Sequence, residues 1–71
     1  MKFFVIQSIK GDHYFKKANY GGYLVGSIES ATKYEKKHHA QASIQKNPYF
    51  NYPFNIRKKF IVKQINFDIM V

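Results

Sequence analysis

The first apolar stretch, Phe3-Phe4-Val5-Ile6, is continuous rather than alternating, so both phases of an extended chain are apolar. Phe3 and Val5 fall on one face, Phe4 and Ile6 on the other. A run of this kind, closed by Ile9, predicts a strand with both faces at least partly covered. Lys10-Gly11-Asp12-His13 has turn chemistry: glycine for positive φ, aspartate for a local side-chain cap. Tyr14-Phe15-Lys16-Lys17 then returns antiparallel as a hairpin. Asn19-Tyr20-Gly21-Gly22 is a second turn, and Tyr23-Leu24-Val25-Gly26 a third short strand or an extension of the hairpin.

The period then changes. Ser27 and Ser30 can both cap, making 27–30 a candidate helix start. Tyr34, His38 and Ala42 are four apart, as are Ala40 and Ile44, which predicts a helix over 34–46 with a modest apolar stripe. Asn47-Pro48 ends it, because the residue before a proline avoids the α region. Residues 48–55, Pro-Tyr-Phe-Asn-Tyr-Pro-Phe-Asn, predict an aromatic loop. From Ile56 to Val71 the pattern is β. Phe60 and Val62 share one phase, whereas Ile65, Phe67, Ile69 and Val71 share the other. Either a bulge changes the buried face, or two strands meet near Gln64–Asn66. The predicted architecture is α+β: a small antiparallel β-sheet of three or four strands with one helix packed across it, in ββ(β)αβ order, as a single domain over 1–71. One thin helix leaves apolar surface over, so a homodimer through an edge strand is expected.

Composition narrows the function classes. A chain of 71 residues buries only about 60% of its unfolded surface. Without cysteine it has no disulfide, thiolate nucleophile or classical zinc finger. The 45% hydrophobic content, with seven Phe and six Tyr, argues against disorder. The apolar N-terminal run is too short for a signal peptide, and no stretch of about 18 apolar residues could span a membrane. A soluble protein of the cytoplasm, without membrane contact, is the expectation. Four carboxylates, Asp12, Glu29, Glu35 and Asp68, and little room for a pocket make an enzyme the disfavoured class. The GxxxxGK[ST] and GxGxxG phosphate-loop spacings are absent, so Gly21, Gly22 and Gly26 read as turn residues and no cofactor is implied.

Charge changes the picture most. Twelve basic residues face four acidic ones, a net +8. The excess is lopsided. Residues 1–35 carry five Lys and three acids, whereas 36–71 carry seven basic residues and Asp68 alone, and no carboxylate lies between Lys36 and Phe67. Unbalanced positive charge calls for a polyanionic partner, phosphate backbones being the commonest, or else serves as a solvated face against aggregation. The candidate contacts are Lys36, Lys37, Lys46, Arg57, Lys58, Lys59 and Lys63. In the loop, Phe50 and Phe54 are expected to plug the core, and Tyr49 and Tyr52 to be exposed as aromatic anchors for bases or for a protein partner. His38 and His39, about 100° apart on a helix, cannot easily share one metal ion, and only Glu35 is placed to help. They extend the basic face instead.

The series Phe3-Val5-Ile6, Gly11, Tyr14-Phe15, Gly22-Tyr23, Ala31-Thr32-Lys33-Tyr34 and Ala40, closed by Phe60-Ile61-Val62, resembles short orphan proteins of phages and prophages of low-GC Gram-positive bacteria. Those combine a "YVI…G.Y/F" hairpin, an "A-T-K-Y/F" turn, a short helix carrying an alanine and an "F-x-I/V" strand. This chain departs where theirs carries Glu in the helix: Lys36, Lys37, His38 and His39 stand here. The aromatic loop has no counterpart, and no functional residue transfers. The resemblance implies a viral accessory setting, in which such proteins often bind and inhibit a host factor. The expected function is therefore a non-catalytic module that binds nucleic acid or a host nucleoprotein complex, for example as a counter-defence, anti-CRISPR-type inhibitor. The alternative is a stoichiometric protein–protein inhibitor with no nucleic-acid contact.

Overall fold

Residues 2–66 are described by the computed structural model, and its central element is the first strand, β1 (Lys2–Ser8). It is followed by β2 (Tyr14–Ala18), β3 (Gly21–Val25), α1 (Lys37–Lys46), α2 (Pro48–Asn51), a 3-10 turn at Arg57–Lys59 and β4 (Phe60–Asn66). The strands form one antiparallel sheet in the order β3-β2-β1-β4. The fold is α+β, with helix α1 across one face.

β1 and β4 pair over seven residues, from Lys2 with Asn66 to Ser8 with Phe60, without interruption. The predicted face change is therefore not a bulge within the described residues. Phe60 and Val62 pack on the core, and strand alternation puts Ile61, Lys63 and Ile65 on the opposite face. Phe67, Ile69 and Val71 lie outside the described residues. The strand also begins later than Ile56, because Arg57–Lys59 form a tight turn first.

On its other edge β1 meets β2 at a single pair, Gln7 with Tyr14. The chain between β3 and α1 enters the gap that opens beyond it. Phe4 and Tyr34 exchange backbone hydrogen bonds of 2.8 Å each way, and Thr32 donates its N–H to the Phe15 carbonyl at 3.1 Å. The Thr32 hydroxyl accepts from Lys17 N at 2.7 Å. This pairing holds residues 32–34 extended, so the helix starts at Lys37 rather than Tyr34. The same tie keeps Ser27–Ser30 in a turn rather than at a helix start; their hydroxyls bond each other at 3.2 Å. The end of α1 at Lys46 is where Asn47-Pro48 predicts it.

The core comprises Phe4, Ile6, Phe15, Ala40 and Phe50. Ala40 is the sole fully buried residue of α1, and its small side chain brings the helix close to the sheet. Phe50 centres the aromatic packing, with ring centroids 4.6 Å from Phe15 and 5.0 Å from Phe60. Gly22, read from sequence as a turn residue, instead sits in β3 at φ +154°, and a Cβ there would strike the Lys16 carbonyl oxygen and lie 2.5 Å from the Phe15 ring. On the far face Val5 is fully buried. Lys16 Nζ donates to the Ser30 carbonyl there, and Lys33 Nζ gathers the carbonyls of Ile28, Glu29 and Ala31. Those two lysines are thus spent on holding a loop.

Candidate nucleic-acid interface

Three consecutive cations, Arg57, Lys58 and Lys59, occupy the 3-10 turn that leads into β4. Their backbone is pinned on several sides. Ile56 N donates to the Phe50 carbonyl at 2.8 Å, Lys59 N to Ile56 at 3.0 Å, and the Lys59 carbonyl accepts from Ile9 N at 2.9 Å. The Asn55 carboxamide oxygen accepts from both Arg57 N at 3.1 Å and Arg57 Nε at 3.2 Å, which orients the guanidinium. All three side chains are exposed.

Two open grooves meet at Lys58 and Lys59. One runs along α1, where Gln41 and Gln45 face Asn55 and Arg57 over an apolar floor of Ile44 and Ile56. The other lies against the β1–β2 turn and brings in Lys10 and His13. No sequence signal joined Lys10 to Lys58, about fifty residues later; the β1–β4 register does so, by setting Ile9 against Lys59. Asp12 shares that turn. It accepts from Ser8 Oγ at 2.8 Å, and this bond, seconded by His13, holds its carboxyl below the usual range.

The other candidate cations are dispersed. Lys46 borders a separate groove with Lys17 and His39. Lys36 and Lys37 lie at the opposite end of α1, about 14 Å from Lys46 along a helix of this length. Lys63 is on the sheet face away from both helices. At the start of α1 there is no acidic residue in the first turn and no side-chain cap. Lys36 and Lys37 therefore add positive charge to the positive end of the helix dipole, an unfavourable arrangement that an anion would relieve. The two histidine rings do not diverge as expected but meet edge to face, centroids 4.5 Å apart. Among the described residues no three His, Cys, Asp or Glu side chains gather as a metal site.

The aromatic loop departs most from expectation. It is not all loop, since Pro48–Asn51 forms one helical turn. Phe50 is in the core as predicted, with no exposed surface. Tyr49, expected outside, packs its ring on Phe15, Phe50 and Phe60, and burial pushes its hydroxyl pKa up. Phe54, expected inside, is 76% exposed, close to the 78% of Tyr52. The available aromatic pair is therefore Tyr52 with Phe54. Comparison with protein family models, curated proteins and solved structures finds no match to this chain.

Proposed function

We propose that this chain is a non-catalytic basic binding module whose partner is nucleic acid, free or within a host nucleoprotein complex. The observation that carries this is the uncompensated charge. Among the described residues the one contact of a basic side chain with a carboxylate joins His13 to Asp12, at 3.2 Å, and no lysine or arginine reaches a carboxylate. Charge left without an internal counterion is free to displace the counterions of a phosphate backbone. The convergence of Lys10, Arg57, Lys58 and Lys59 gives that charge a location. The phage setting, and with it a counter-defence role of anti-CRISPR type in the host cytoplasm, is supported by the sequence resemblance alone.

The test is fluorescence anisotropy of labelled oligonucleotides across a salt series. About four phosphate contacts give a log–log slope near −3 and a loss of roughly 50-fold between about 50 and 200 mM salt. Reversing Arg57, Lys58 and Lys59 to Glu should abolish binding. No binding even at the lowest salt overturns direct nucleic-acid contact.

A second reading, a stoichiometric inhibitor of a host protein, is favoured by one observation. β4 is an edge of the sheet among the described residues, with Ile61 47% exposed on it. Such an edge can accept a strand from another protein.

A further inference from the structure

The corner from Tyr52 to Lys59 combines features that a purely electrostatic phosphate contact does not need. Tyr52 and Phe54 expose three quarters or more of their surface although Phe50, four residues before Phe54, is fully buried. They do not hang on a loose loop. Tyr52 N donates to the Pro48 carbonyl and Ile56 N to the Phe50 carbonyl, both at 2.8 Å, so both ends of the intervening stretch are tied to α2. Arg57 follows directly, its Nε engaged by Asn55 and its terminal nitrogens without a protein partner among the described residues. The groove beside it presents the side-chain amides of Gln41 and Gln45. Rings and cations thus share one short strip of chain, Tyr52 to Lys59, and its cations line one groove with the two amides.

We infer that this strip takes single-stranded nucleic acid in preference to duplex, with bases stacking on Tyr52 and Phe54 while Arg57, Lys58 and Lys59 follow the phosphates. The inference rests on the nucleic-acid reading above and adds the strand state of the ligand. An uncharged ring gains nothing from a phosphate, and in a duplex the base faces are already covered by their neighbours. Unpaired bases offer their π-faces freely, and each stack is worth about 1–3 kcal/mol, or roughly 5- to 150-fold in affinity. Charge complementarity decides against an apolar protein patch as the occupant: the rings are flanked by three cations, and no carboxylate occurs between Lys36 and Phe67.

The experiment compares a short labelled oligothymidine with a duplex of equal length, using anisotropy at low salt. The single strand should bind more tightly. Tyr52→Ala and Phe54→Ala should each weaken it about fivefold or more while leaving duplex affinity and the salt slope unchanged, and Tyr52→Phe should retain binding. Replacing Arg57, Lys58 and Lys59 by Gln should weaken both ligands and flatten the slope. Circular dichroism of each variant checks that the fold is retained. Equal binding of both ligands, indifferent to Tyr52 and Phe54, overturns the strand preference and leaves the nucleic-acid reading standing. Binding of neither overturns both and returns the rings to a protein partner.

Discussion

Tyr49-Phe50 and Tyr52-Pro53-Phe54 are near-copies in composition, and they lie on opposite sides of the molecule's boundary with water. Asn47 decides the inner pair. Its side chain accepts from Tyr49 N at 2.9 Å and donates to the Gly21 carbonyl at 3.1 Å. With Pro48 at the first helical position, this cap winds one turn of α2 against β3 and swings Phe50 onto Phe15. Asn51 closes the corner by donating to the Ile44 and Asn47 carbonyls at 3.0 and 2.9 Å. Tyr52 then adopts extended backbone at φ −147°, ψ 134°, and the chain leaves the core. Apolar character alone does not determine which ring is buried; a capping asparagine two residues before Tyr49 and three before Phe50 does.

The sharpest way to break the comparison is to truncate one ring on each side. Phe50→Ala removes the centre of the aromatic core and should destabilise by about 3–5 kcal/mol. For a domain this small each kcal/mol is worth roughly 4–8 °C in Tm, so the variant should melt at least about 12 °C early by circular dichroism. Phe54→Ala, in the same experiment, should stay within about 0.5 kcal/mol of the parent. Gly22→Ala comes next, since the new methyl meets the Lys16 carbonyl and Phe15 in a backbone conformation that side chains rarely adopt. A loss of about 2–4 kcal/mol in urea denaturation is expected. Asn47→Ala should cost about 1–2 kcal/mol and loosen α2 from β3.

Titration gives the smallest effects. Burial raises the pKa of Tyr49 above its ordinary 10.0, and that of Tyr34 too, despite the Tyr34 hydroxyl's 2.9 Å bond to Ser43. A raised folded-state value means their contribution to stability is complete below pH 10.0 and lost as the pH climbs through the folded-state values. Absorbance at 295 nm should accordingly show the late-ionising fraction shrink in Tyr49→Phe. Asp12 works in the other direction. Its folded-state pKa is below 3.8, so its small contribution holds above that pH and disappears as the solution is acidified through the folded value. Asp12→Asn should flatten the acid limb of the stability curve.

Much of the fold could be read from the chain because local chemistry and burial agree. The doubly apolar run at 3–6 became the inner strand β1, and Asn47-Pro48 stopped the helix. The misplaced helix start has one cause, long-range backbone pairing that no local pattern encodes. Tyr34 looked like the first turn of a helix but is held extended by Phe4. The two phases of the C-terminal pattern suggested a bulge or a meeting of two strands near Gln64–Asn66; β4 runs without a bulge from Phe60 to Asn66, with apolar residues on both faces, and the rest of the pattern lies outside the described residues. The candidate site was legible as a count of charges and only partly as a place. Arg57, Lys58 and Lys59 stay together because they are adjacent in sequence, while Lys10 reaches them through strand register and Lys46 and Lys63 go elsewhere.

The most direct test of the central claim is an amide chemical-shift map of the labelled protein titrated with oligothymidine at low salt. We expect salt-sensitive shifts concentrated at Tyr52–Lys59 and reaching Lys10 and Gln41, with Phe50 and its core neighbours unmoved. An unperturbed spectrum at low salt, or shifts confined to the β4 edge around Ile61, would contradict a nucleic-acid surface at this corner.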